Sequence, residues 1–114
     1  MKITIPAIDV PAATIARGFT IKTKFLGPTN YKGSRVSASY KRSNDETLRA
    51  TVDWRHELSA EENHCRAAQT LINKVNQDGR AYYREIGITA DYVPFEMTGI
   101  GFDQENYFFL VNKP

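Results

Sequence analysis

The chain has 114 residues, 41% hydrophobic and 25% charged, a composition that fits one ordered domain and argues against disorder. Its formal net charge of +2 conceals a segregation: residues 1–55 carry ten Lys/Arg against four Asp/Glu, and residues 56–114 carry five against nine. No apolar run approaches the roughly 20 residues that span a bilayer, and the lone Cys65 excludes an internal disulfide, so a reducing, cytoplasmic setting is expected.

At the N-terminus, Ile3 and Ile5 alternate with Lys2 and Thr4 before Pro6 and Pro11 intervene. Proline cannot donate to a sheet ladder, so residues 1–18 are expected to be a short edge strand followed by an extended arm. Asp9 and the two prolines also interrupt what would otherwise pass for the apolar core of a secretion signal. Residues 19–114 are expected to form a single α+β domain.

Three strands follow by two-residue alternation. Phe19, Ile21 and Phe25 oppose Thr20, Lys22 and Lys24; Val36, Ala38 and Tyr40 oppose Arg35, Ser37, Ser39 and Lys41; Leu48, Ala50, Val52 and Trp54 oppose Thr47, Arg49, Thr51, Asp53 and Arg55. Such alternation marks strands with one face on a core and one in water. The connectors at 27–33 and 43–46 are short and rich in turn residues, which predicts an antiparallel meander. No acidic residue occurs between Val10 and Asn44, and the solvent face of the meander gathers cations with Asp53 as its acid.

Ser59-Ala-Glu-Glu62 is a capping box, and the helix it opens carries Ala68, Leu71, Ile72 and Val75 on one stripe. The helix is expected to end near Gln77, where Asp78-Gly79 supplies a stop, and to carry a Glu62–Arg66 pair on its wet side. Beyond it, Ala81–Ile88 reads as a strand, Val93–Met97 as an edge or irregular segment and Gly99–Glu105 as a turn. Asn106–Val111 reads as a strand apolar on both faces, to be covered on both sides or paired with another chain. The fold class is α+β: an antiparallel sheet, the meander plus C-terminal strands, with one main helix on one face.

The string Lys24-Phe-Leu-Gly-Pro-Thr-Asn-Tyr-Lys-Gly-Ser-Arg-Val36 resembles the opening of a family of short, mostly uncharacterised proteins of bacteriophages, prophages and plasmids. Glu62-Asn-His64 before the helix, and the glycine-containing turn before the aromatic 106–111 strand, are similar to the same family. The resemblance spans residues 20–111 discontinuously; the arm before Phe19 and the 80–97 segment are longer than its usual pattern. It implies a mobile-element origin and carries no activity onto any residue.

The best functional candidates are the basic sheet face and the 27–35 loop: Lys22, Lys24, Asn30, Tyr31, Lys32, Arg35, Lys41, Arg42 and Arg49. Cations with small polar donors suit phosphates, and Tyr31 suits stacking on an unpaired base, so DNA or RNA is the expected partner. The bland reading is a solvated strand face, where lysines discourage edge aggregation. The β-β-β-α order is shared with double-stranded RNA-binding domains, but those place lysines where this chain has Glu61-Glu62-Asn63-His64. The alternative function is a module that binds and inhibits a host protein through the acidic, aromatic second half. A single exposed patch of Tyr82, Tyr83, Phe95 and Phe102 would favour it. His56, His64 and Cys65 are too few and too divergent for a metal site, so no metal and no cofactor are expected. Asp53, His56, Glu57 and Ser59 lack an oxyanion loop or strained elbow, so enzymatic chemistry is not expected either.

Overall fold

The computed structural model describes residues 18–113 throughout and, before them, the backbone of strands β1 (Lys2–Ile5) and β2 (Ile8–Pro11). These two pair antiparallel as a separate two-stranded sheet, with Ile3 opposite Val10. A strand at 2–5 is therefore present, but it borders β2 and not the main sheet, and β2 occupies part of the expected arm.

The main sheet contains β3 (Phe19–Leu26), β4 (Arg35–Ser43), β5 (Glu46–Asp53), β6 (Glu96–Phe102) and β7 (Tyr107–Asn112). Its order is β5-β4-β3-β7-β6, antiparallel throughout. The meander is present as the alternation predicts, and β7 inserts beside β3, leaving β5 and β6 as edges. One helix, α1 (Ala60–Glu85), lies across one face. The fold is α+β.

Helix α1 starts where its capping box requires: Glu62 N–H donates to Ser59 Oγ at 3.1 Å, and Ser59 N–H donates to Glu62 Oε1 at 3.3 Å. Its buried stripe of Ala67, Ala68, Leu71 and Ile72 packs on Ile21, Val36, Ala38, Phe109 and Val111. The core thus centres on β3, β4 and β7. Phe25, expected inside, is 44% exposed and meets half-buried Trp54 edge-on with centroids 5.2 Å apart. Leu48 and Val52 are half-buried because β5 is an edge strand at the margin of the helix footprint.

Three expectations fail after residue 77. The helix does not stop at Asp78-Gly79 but continues for two further turns, absorbing most of the expected 81–88 strand. Gly79 serves close approach, since a Cβ there would lie 2.6 Å from the Tyr92 ring and hydroxyl. The left-handed residue is Gly87, at φ 74°. Around it Ile88 N–H bonds Tyr83 C=O at 2.9 Å and Gly87 N–H bonds Arg84 C=O at 3.3 Å, the paired closure of a Schellman end. Residues 99–102, expected in a turn, belong to β6, which is irregular between Met97 and Gly99. The turn shrinks to 103–106, where Asp103 Oδ1 accepts from Glu105 N–H at 2.8 Å and Asn106 N–H at 2.7 Å. Before residue 77, one expectation also fails: Arg66 does not pair with Glu62 but donates to the Asp53 carbonyl at 3.0 Å.

Two buried asparagines fasten chain segments to α1. Asn63 binds the turn that precedes the helix, and Asn76 binds Phe95 N–H and C=O and the Tyr92 hydroxyl, at 2.7, 3.0 and 3.0 Å. A third buried polar contact joins Thr23 Oγ1 to His64 Nδ1 at 2.7 Å, beneath Tyr107.

Candidate nucleic-acid interface

The sheet face opposite α1 is not covered by a helix among the described residues. Register places its side chains in transverse rows, because residues directly opposite on antiparallel neighbours point the same way. One row reads Gly101, Phe108, Lys22, Ser39 and Arg49, one residue from each of the five strands. The next holds Lys24, Ser37 and Thr51, and the last Leu26, Arg35 and Asp53. Lys22, Lys24 and Arg49 are exposed, and with Leu26, Ser37 and Ser39 they line a shallow groove. Cations and hydroxyls therefore alternate across a surface open to solvent.

Acids stand at the margins of this surface. Asp53 occupies one corner, and Glu96, opposite Asn112 on β6, falls at the diagonal one. The Asp103 carboxylate lies beyond Phe102 in the β6–β7 turn. Its pKa is held below the usual value first by the amides of Asn106 and Glu105 and to a smaller extent by Lys22.

The candidates do not all converge. Lys22, Lys24, Lys41 and Arg49 are exposed on the three meander strands, and Arg35 lies at the base of the loop. Arg35 is half-buried, and its Nε is buried without a partner among the described residues. Arg42 is separated from the group. It faces the helix side, lining a cavity with Val75, Asp78 and Tyr82, and pairs with Glu46 at 3.3 Å. The loop is ordered by Thr29, whose Oγ1 accepts from Tyr31 N–H at 3.2 Å and Lys32 N–H at 3.0 Å. That turn holds Asn30, Tyr31 and Lys32 at its tip, with the Tyr31 ring 95% exposed.

The four aromatics of the second half do not share a patch. Phe95 is half-buried, edge-on to Phe19 with centroids 5.1 Å apart, and Tyr83 is half-buried against Tyr92. Tyr82 is exposed on the helix, and Phe102 is exposed at the end of β6. His64 is buried, and burial pushes its pKa down; Cys65 is half-buried, its thiol pKa pushed up by burial and then by Glu61 and Glu62. Among the described residues no three His, Cys, Asp or Glu side chains converge on a metal position. Among the described residues no helix is long and apolar enough to cross a membrane.

Sequence reasoning missed Thr23, Asn63, Asn76 and the placement of Phe108. Thr23 left a trace, since it interrupts the apolar face of β3 between Ile21 and Phe25, where a polar group needs a partner. Phe108 was visible only as half of a strand apolar on both faces. Compared with known proteins, the chain matches no family model, no curated protein and no solved structure.

Proposed function

We propose that this chain is a non-enzymatic nucleic-acid-binding accessory protein of a mobile genetic element. It would hold phosphates on the open sheet face and the adjoining 27–35 loop. The observation that carries the reading is the transverse arrangement of Lys22, Lys24 and Arg49, interleaved with Ser37 and Ser39 on a helix-free surface. Phosphate recognition needs cations and small hydroxyl donors on one accessible face, and contacts of this kind position a protein without reading sequence. The mobile-element origin rests on the resemblance of the 24–36 string. The host-protein alternative lacks the single aromatic patch that would favour it.

The test is fluorescence anisotropy with single- and double-stranded DNA and RNA at 50 and 200 mM salt. Affinity should fall as salt rises, with a log–log slope of roughly −0.9 per neutralised phosphate on duplex DNA and roughly −0.7 on a single strand. The charge reversal Lys24→Glu with Arg49→Glu should weaken all sequences about equally and leave folding nearly unchanged, because both side chains are exposed. Arg35→Glu is unsuitable, since the buried Nε makes Arg35 part of the packing. Absence of binding to every nucleic acid at 50 mM salt refutes the proposal.

A further inference from the structure

We propose, resting on that phosphate reading, that the ligand is single-stranded and that Phe108 is the position on which a base stacks. Phe108 and Leu110 are half-buried on the side of β7 turned away from the helix. Their neighbours on β6 are Gly101 and Gly99, which carry no side chain, so the ring borders bare backbone in a groove also lined by Thr20. An aromatic and a leucine beside two glycines on a solvent-facing surface leave apolar area that the rest of the described chain does not cover.

Charge selects the occupant. Phe108 is directly opposite Lys22, and the same row continues through Ser39 to Arg49. Strands lie about 4.8 Å apart, so ring, ammonium, hydroxyl and guanidinium follow one another over roughly 14 Å. A flat ring face followed by cations complements an unpaired base and its flanking phosphates. A duplex keeps its base faces inside the stack and would reach the cations alone. A second copy of this chain laid face to face would bring two sets of Lys22, Lys24 and Arg49 together, which repels.

The experiment uses the full chain with three fluorescent probes at 50 mM salt. They are a twelve-residue oligo-dT, an abasic phosphodiester of equal length, and a twelve-base-pair duplex. One stacked base should make oligo-dT bind about 5- to 150-fold more tightly than the abasic strand. Phe108→Val, which keeps a strand-forming side chain, should erase that advantage while leaving abasic affinity unchanged. Phe108→Tyr should preserve it, and should Phe108→Val fold poorly, Phe108→Leu, nearer to phenylalanine in volume but without a ring, is the variant that must lose the advantage. Equal wild-type affinity for oligo-dT and abasic strands, or equal weakening of both by Phe108→Val, overturns the stacking site and leaves phosphate binding standing. Binding to none of the probes removes the phosphate reading itself. A concentration-dependent dimer abolished by Phe108→Val assigns the face to a second copy and also overturns the proposal.

Discussion

Asn63 offers a sharp test of how this fold is held, because a fully buried amide there organises the whole entrance to α1. Its Oδ1 accepts from Arg55 N–H at 2.8 Å; its Nδ2 donates to Arg55 C=O at 2.9 Å and Ser59 C=O at 3.0 Å, with a longer approach to Leu58 C=O at 3.4 Å. Asn63→Ala orphans the Arg55 N–H, while the Arg55 C=O keeps its bond from Leu58 N–H at 3.1 Å. A buried orphan costs about 1–3 kcal/mol, while alanine returns about 0.5 kcal/mol of helix propensity. Arg55 is exposed, so water reaches part of the vacated site and the lower half of the range applies. With the bonds to the still-partnered carbonyls of Arg55 and Ser59 also lost, the expected loss is about 1–2 kcal/mol, or about 4–8 °C in Tm for a chain of this length. Asn63→Asp separates the hydrogen-bonding account from simple cavity formation. It keeps the acceptor for Arg55 N–H but turns a carboxylate toward carbonyl oxygens, which raises its folded pKa above the ordinary value of about 3.9. A raised carboxyl pKa means the folded state binds the extra proton, so this variant should regain stability as pH falls through that pKa. Urea denaturation at pH 7.5, 6 and 4.5 with an unchanged m-value is the assay. Both variants lying within about 0.5 kcal/mol of wild type would refute the reasoning.

Further expectations concern other parts of the chain. Gly79→Ala should destabilise despite about 1 kcal/mol of helix propensity in its favour, because the new Cβ displaces Tyr92 from its 3.0 Å bond to Asn76; adding Tyr92→Ala should make the glycine replacement neutral or favourable in a double-mutant cycle. Burial lowers the His64 pKa from 6.5, so its stability contribution is intact above about pH 6.5 and is lost as pH falls through the lower folded value. His64→Gln should flatten urea-derived stability over that window. Leu71→Ala, fully buried between helix and sheet, should cost about 2–5 kcal/mol in the same measurement, and a smaller loss would place the helix elsewhere.

Much of the fold was legible because its first half obeys two simple periods. The alternation through Phe19–Asp53 and the stripe Ala68, Leu71, Ile72 and Val75 each dictate one buried face, and the capping box marks the helix start within a residue. The second half was harder because tertiary contacts overrode local signals. Gly79 has the chemistry of a stop, yet it sits inside the helix to admit the Tyr92 ring, a partner thirteen residues on. Gly99 and Gly101 suggest a turn, yet they lie in an edge strand where bare backbone flanks Leu110 and Phe108. For the site, alternation identified the outward cations of β3 to β5, but not that Arg42 would face Asp78 across a cavity beside the helix. No single-strand pattern reveals that β7 inserts beside β3, and that insertion is what sets Phe108 against Lys22.

The same insertion bears on how the molecule reaches its native state. β3 is the middle strand, and one of its edges pairs only with β7, whose Phe109 is the register partner of Ile21. On a ribosome, β3 emerges some eighty residues before that partner, so a nascent meander presents an open edge until β7 has also emerged. Such an edge invites pairing with strands of other molecules. Lys22 and Lys24 alternate along β3 itself, and like charges oppose a second copy adding there in register. Lys22 and Lys24 thus guard the unfinished domain, and replacing both with neutral residues should lower soluble yield during synthesis even where the purified protein is equally stable.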